Sequence, residues 1–468
     1  MPAPVPMAPA ALMGPAAPAS GPSAPAPSVP PPGDDPMAID FATDPILGFG
    51  HREASPDLFR ATIARAIGTH PSVRRASAAQ RQANAAVKEA HSGWLPEVDL
   101  QMTYNRRLAA GFSNRFTDTL VEQTQPVSRT DASVSVSQKI FDFGATAQRV
   151  KGAKARRDQA GANLEIAQDD LALDAIAAWY DVAAYRALVA LAESMQQSEK
   201  EIRGSVAERI KQGASSAGDL SRVDVYLGRV ALRLTQLHGQ LASAEARYRE
   251  STGMPAPMQL GRPTLTLRLP ETVEEARLAS GNAPEVRSAK AQERAARADW
   301  RAVQAENLPQ VGAQVNAARY GILENRRDYD VRGQVTLSHR LFGGGGGARQ
   351  EQAHEQYRGA QAASDQVIGE AERDAETAFY TLVAYDEQVK TLEQSYIANR
   401  RNRDVLYTRF KNLNGTLFDI LVADDDYFDT ATTYLTAVAQ RDAQRLALLR
   451  KCGTLLEGLN ITMVGPGR

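Results

Sequence analysis

The chain has 468 residues, enough for two or three ordinary domains or one extended body, and 54 basic against 55 acidic residues leave it a formal net charge of −1. That balance provides no bulk attraction to nucleic acid or to an anionic lipid surface. One cysteine, Cys452, excludes an intrachain disulfide framework and a multi-cysteine metal site, and reads as an inert packed thiol.

Residues 1–32 carry 12 of the 25 prolines with alanine between them, so residues 1–50 are expected to form a disordered Pro/Ala-rich extension. They lack the basic start and compact apolar run of a secretory signal, so either the export signal lies outside this numbering or the protein stays inside the cell. No run of 18 apolar residues occurs, which argues against a membrane-spanning helix. Barrel strands are short and alternating and escape that test.

The ordered part is written twice. Residues 69–98 align without a gap on 282–311, setting Pro71 against Pro284, Val73 against Val286, Leu95 against Leu308 and Pro96 against Pro309. "SQKIFDFGATAQ" at 137–148 meets "SHRLFGGGGGAR" at 338–349, and "RIKQG" at 209–213 meets "RFKNL" at 409–413. A period of about 200 residues is too long for a solenoid unit and gives two tandem repeats of one body, 51–262 and 263–456, with a tail at 457–468.

Each repeat opens with a helix, expected over 57–92 and 271–306 and ended by "WLP" or "NLP", because the residue before proline is pushed to extended geometry. Alternating segments follow. In "VDLQMTYNR" the residues Val98, Leu100, Met102 and Tyr104 share one face, with Asp99, Gln101, Thr103 and Asn105 on the other. Strands are expected at about 97–108, 131–142, 310–320 and 330–341. Glycine corners, "FDFGAT" and "FGGGGG", then reverse the chain; Phe141, Phe143 and Phe342 are expected to pack there, and Trp94 to serve as an interfacial or packing aromatic. The second corner lacks the Lys-Ser/Thr of a phosphate loop. Proline-free helices follow from 145 to about 210, interrupted at most near Gly204, and from 348 to about 411, each on the order of 90 Å long. Turns at "GASSAGDL" and "NLNGTLFD" return the chain through helices at 219–252 and 419–455.

Four strands with one apolar face and no covering helix leave two open edges, and closing several copies into one barrel removes them. Three copies give 12 strands, with the helices continuing as a coiled-coil cylinder beneath. Histidines show no i, i+4 pair and no Ser/His/Asp arrangement can be placed, so neither enzyme activity nor a metal or cofactor is expected. The rival reading is a soluble coiled-coil scaffold or adaptor protein, which leaves the matched strand pairs unexplained.

The duplicated plan, "GWLPEVDLQMTY", "SQKIFDFG", "NLPQV" and the long Ala/Gln/Arg helices resemble the TolC family of bacterial outer-membrane efflux and secretion channels, over residues about 57–456. The resemblance implies a mixed α/β membrane protein: a homotrimer with a 12-stranded β-barrel in outer-membrane lipid, four strands per chain, continued by an α-helical tunnel across the periplasm of a Gram-negative cell. Such ducts engage a periplasmic adaptor protein and an inner-membrane ABC or proton-driven transporter, in type I secretion or multidrug efflux. With no cysteine near its start, the chain is similar to the unlipidated branch. The family closes its periplasmic end with aspartate rings. The matching position here is Asp419; Val422 stands where a second aspartate is usual, and Asp424, Asp425 and Asp426 supply negative charge further on. An acidic, solvent-facing helix start is the plainer reading of these residues. The two hairpin tips, with Lys211, Gly213, Arg222, Lys411 and Gly415, are the expected adaptor docking points, the plainer reading being turns with basic neighbours.

Overall fold

The computed structural model describes residues 44–51, 55–109, 127–258, 260–324, 327–411 and 415–461. Of the extension expected over 1–50, residues 1–43 lie outside them, while residues 45–50 are helical, which corrects the expectation of disorder there; of the tail expected over 457–468, residues 462–468 lie outside them. In chain order the elements are α1 (Pro45–His51), α2 (Pro56–Thr69), α3 (Pro71–Ser92), β1 (Glu97–Arg106), β2 (Ser128–Phe141), α4 (Ala145–Lys211) and α5 (Ala217–Thr252). The second set is α6 (Val273–Ser280), α7 (Pro284–Glu306), β3 (Gln310–Arg319), β4 (Tyr329–Ser338), α8 (Gly346–Lys411), α9 (Leu417–Lys451) and α10 (Leu455–Gly458).

The opening helix of each half is broken, which corrects the expectation of one continuous helix. The breaks fall at the aligned prolines. His70 (ψ 140°) and Ala283 (ψ 145°) are extended, as a residue before proline must be, and Pro71 and Pro284 start new helices where a missing N–H costs nothing. Gly204 does not interrupt α4, which runs 67 residues without a break, about 100 Å. α5 starts on a capping box in which Ser216 and Asp219 satisfy each other's backbone N–H groups.

The long helices α4 and α8 run the full height, and shorter helices stack beside them. α4 packs against α3 and α7 near the sheet and against α5 and α9 beyond, while α8 packs against α6, α7 and α9. Although it has no unbroken run of 18 apolar residues, α4 contains a stretch whose mean hydropathy would let it cross a membrane, but most of that stretch is buried inside the fold. It is a core helix. Phe59, Trp179 and Tyr248 anchor one buried cluster, and Met195, Tyr396, Tyr427, Phe428 and Tyr434 another. The connection from Gly253 to Thr272, where the two repeats were divided, is held at mid-height: the Trp179 indole donates to the Gly261 carbonyl at 3.0 Å, and buried Arg262 pairs with Asp442 at 2.5 Å.

The strands form one antiparallel sheet in the order β1-β2-β3-β4, so β1 and β4 are its edges. Both corners turn through left-handed glycines, Gly144 (φ 85°) in the first and Gly343, Gly344 and Gly345 (φ 86°, 73° and 69°) in the second. Phe141 and Phe143 meet edge to face at 4.7 Å, as expected of a packed corner, although each is about half exposed. Phe342 does not pack: it is 98% exposed.

Candidate functional site

Register decides what the sheet presents. Val98, Leu100, Met102 and Tyr104 of β1 stand opposite Val136, Val134, Ala132 and Thr130 of β2. Val136 and Val134 in turn face Val315 and Ala317 of β3, which face Gly333 and Val331 of β4. Ala313 with Val335 and Val311 with Leu337 complete the same face. Because side chains alternate, all of these project to one side, and Asp99, Gln101, Thr103, Ser133, Ser135, Gln314, Asn316, Arg332 and Gln334 to the other. The apolar side is open: Leu100 is 76% exposed and Val335 76%, and no described helix covers them. A face of this kind in water would be an association surface.

At the opposite end, some 100 Å along α4, the two hairpin tips sit side by side. Ile202, Val206, Val223, Phe410, Leu417, Ile420 and Leu421 form one cluster beneath them. The Arg209 guanidinium lies 4.0 Å from the Phe410 ring centroid and donates to the Phe410 carbonyl at 2.8 Å, joining the tips. Among the expected docking residues, Lys211 is exposed and pairs with Glu208 at 2.8 Å, Arg222 lies 5.4 Å over the Phe418 ring, and Gly213 takes φ 75° in the first turn. Gly415 lies so close to the backbone that a Cβ would stand 2.9 Å from the Phe410 nitrogen. Lys411 ends α8; its side chain and residues 412–414 lie outside the described residues.

The four aspartates do not form one group. Asp419 is exposed in the first turn of α9, its N–H capped by Thr416 Oγ1 at 3.2 Å. Asp424 is buried, 4.0 Å from Arg403 of α8, and burial pushes its carboxyl up to about 6. Asp425 is held by Arg233 of α5 at 2.6 Å, and Asp426 faces solvent. Successive helical residues are about 100° apart, so one can face the core while the next two turn outward. No group of acidic, histidine or cysteine side chains among the described residues could hold a metal ion.

A second charged feature has no signal in the sequence. Asp44, just ahead of α1, accepts from the N–H groups of Ile46 and Leu47 at 2.8 and 2.9 Å and from the Tyr396 hydroxyl at 2.9 Å, and it pairs with Arg400. Ile46 and Leu47 are fully buried beside it, so this short strap is locked onto α8 and α9.

A family model described as outer membrane efflux protein matches residues 62–254 and 276–454, most of the chain and both copies of its plan. The chain belongs to that family. It is an outer-membrane efflux protein, which serves export. This displaces the reading of a soluble scaffold. The efflux protein has the fold of the outer membrane protein VceC from Vibrio cholerae, at 16% identity and a TM-score of 0.75 over 85% of this chain and 96% of that one. It also has the fold of the Campylobacter jejuni CmeC outer membrane channel, at 13% identity and a TM-score of 0.75 over 92% of this chain and 94% of the other. The open state of the Neisseria gonorrhoeae MtrE outer membrane channel matches at 16% identity and a TM-score of 0.71, over 85% of this chain and 89% of that one. No curated protein sequence matches the efflux protein.

Proposed function

We infer that three copies of the efflux protein close into one barrel of 12 strands, and that their helices form a continuous tunnel below it. The observation that carries this reading is the registered sheet, with an exposed apolar side, a polar side and two unpaired edges. An even number of strands lets β4 of one copy lie antiparallel to β1 of the next, so closure leaves every backbone group paired, as hydrocarbon requires. The apolar side faces lipid and the polar side lines the lumen. Trp94, Phe141, Phe143 and Phe342, exposed at the corners, mark the periplasmic edge of the lipid.

The repeats 51–262 and 263–456 are the two similar halves of each protomer. The adjoining tips receive a periplasmic adaptor, through Lys211, Gly213, Arg222, Lys411 and Gly415. An inner-membrane transporter, ABC-type or proton-driven, supplies the energy, and the cargo is a protein or a small molecule. Asp419 and Asp426, the exposed members of the acidic set, contribute the negative potential at the tunnel's narrow end, while Asp424 and Asp425 act by holding α9 in place.

Planar-bilayer recording of detergent-purified protein tests the reading. Wild type should be trimeric and conduct with cation selectivity, and Asp419→Asn with Asp426→Asn should lower that selectivity several-fold. A chain that folds as a monomer without detergent and never conducts would overturn it.

A further inference from the structure

Where α9 crosses α4, one carboxyl group is buried with nothing to bond it. Glu199 of α4 is 0% exposed, and neither of its side-chain oxygens has a hydrogen-bond partner among the described residues. An ionised carboxylate cannot be held that way, so the group keeps a proton instead.

Most of the charged groups packed around it are paired with one another. From α9, Asp424 is 3% exposed with Oδ2 unpartnered, and Asp425 is paired with Arg233 of α5. From α8, Arg403 binds Asp404 at 2.7 Å, lies 4.0 Å from Asp424 and stacks 4.5 Å from the Tyr427 ring centroid. Arg400 is paired with Asp44 of the strap, and on α4 itself Arg203 turns to Asp224 of α5 at 2.6 Å. Among the groups named, the carboxyls of Asp44, Glu199, Asp404 and Asp424 outnumber the guanidinium groups of Arg400 and Arg403, and protons on Glu199 and Asp424 make up the difference. Burial, with Asp424 and Asp425 adding to it, pushes the Glu199 carboxyl up to about 8. Burial pushes Asp424 up to about 6.

We propose that Glu199 and Asp424 form a proton-operated lock between α4 and α9, close above the tips: protonated, the junction is neutral and stays packed, and ionised, the two carboxylates repel and the helices part. This rests on the duct reading, in which parting these helices widens the tunnel. The direction follows from linkage. In the parted, watered state Glu199 returns toward its ordinary value of 4.5, so between there and about 8 the parted form loses a proton that the packed form keeps. Rising pH across that window favours parting by up to about tenfold per unit, and the effect levels off beyond it on either side. Asp424 adds the same sign between its ordinary 3.8 and about 6.

The full chain in planar bilayers, recorded from about pH 5 to about pH 9, tests the lock against Glu199→Gln, which is neutral at every pH and nearly the same shape. Open probability of wild type should climb with pH, Glu199→Gln should be flat above about pH 6, and Asp424→Asn should lose only the lower part of the climb. Infrared spectra provide a second reading: a protonated-carboxyl stretch present at about pH 7 in wild type and missing in Glu199→Gln. A conducting channel with the same pH profile in both proteins overturns the lock and leaves the duct standing. Should no variant conduct, the duct reading falls. Should Glu199→Gln fail to assemble, the wild-type infrared titration decides, and a carboxyl band that vanishes near the ordinary glutamate value sinks the proposal.

Discussion

Met102 and Gln101 are adjacent in the middle of β1 and point to opposite sides of the sheet, so placing arginine at one or the other separates lipid from lumen. Ten residues at about 3.4 Å each, tilted by about 40°, rise roughly 26 Å, the height of the apolar band of an outer-membrane barrel. Both residues therefore lie near its midplane. Met102→Arg puts a charge into hydrocarbon at about 2–4 kcal/mol per chain, a loss of roughly 30- to 700-fold in the folding equilibrium. In the proposed trimer, three copies would multiply the cost to roughly 6–12 kcal/mol. Gln101→Arg stays among polar groups and should change stability by less than about 0.5 kcal/mol. Urea titration of folding into lipid vesicles, with recovery of assembled protein from outer-membrane fractions, measures both. Equal effects of the two substitutions, or a harmless Met102→Arg, would refute the assignment of the faces.

Two other outcomes follow from buried chemistry in the helices. Arg262→Ala leaves Asp442, 8% exposed at its side chain, with only the Arg441 guanidinium at 3.1 Å, and should cost about 1.5–3 kcal/mol in unfolding experiments; a loss under about 0.5 kcal/mol would contradict the buried pairing. The Cys452 thiol, pushed up to about 11 chiefly by burial and directed at the Ala276 carbonyl at 3.9 Å, should resist alkylation at about pH 8 until the protein unfolds, and rapid labelling of the native protein would show it exposed.

The strands were legible because their signal is local. A period of two assigns each side chain of β1 to a face before any partner is known, and the proline stops and glycine corners act on their own backbone. The helix breaks at Pro71 and Pro284 were written just as plainly, in residues already seen to align. Apolar spacing does not show them, because it continues on both sides of each break and proline is welcome at the start of the next helix. The corner aromatics show the limit of such reading: Phe141 and Phe143 meet, but Phe342 extends away from the chain, and no residue near it in sequence could have told the two cases apart.

What the sequence determined by itself was the duplicated plan, the strand faces, the places where the chain turns and, through its likeness to a family, the duct. These depend on backbone rules and on patterns a few residues long. What only the tertiary structure decided was the fate of the charges. Asp424, Asp425 and Asp426 are three identical letters in a row, yet one is buried beside Arg403, one is held by Arg233 and one meets solvent. Glu199 sits in "QQSEKEIRGS", which reads as a solvated face, and Asp44 follows a low-complexity extension, yet both end inside the helix packing. Burial is set by the rotation of each helix against neighbours from 21 residues away, as for Arg403 and Asp424, to 356 away, as for Arg400 and Asp44, and a carboxyl's solvation follows from that packing rather than from its own sequence surroundings.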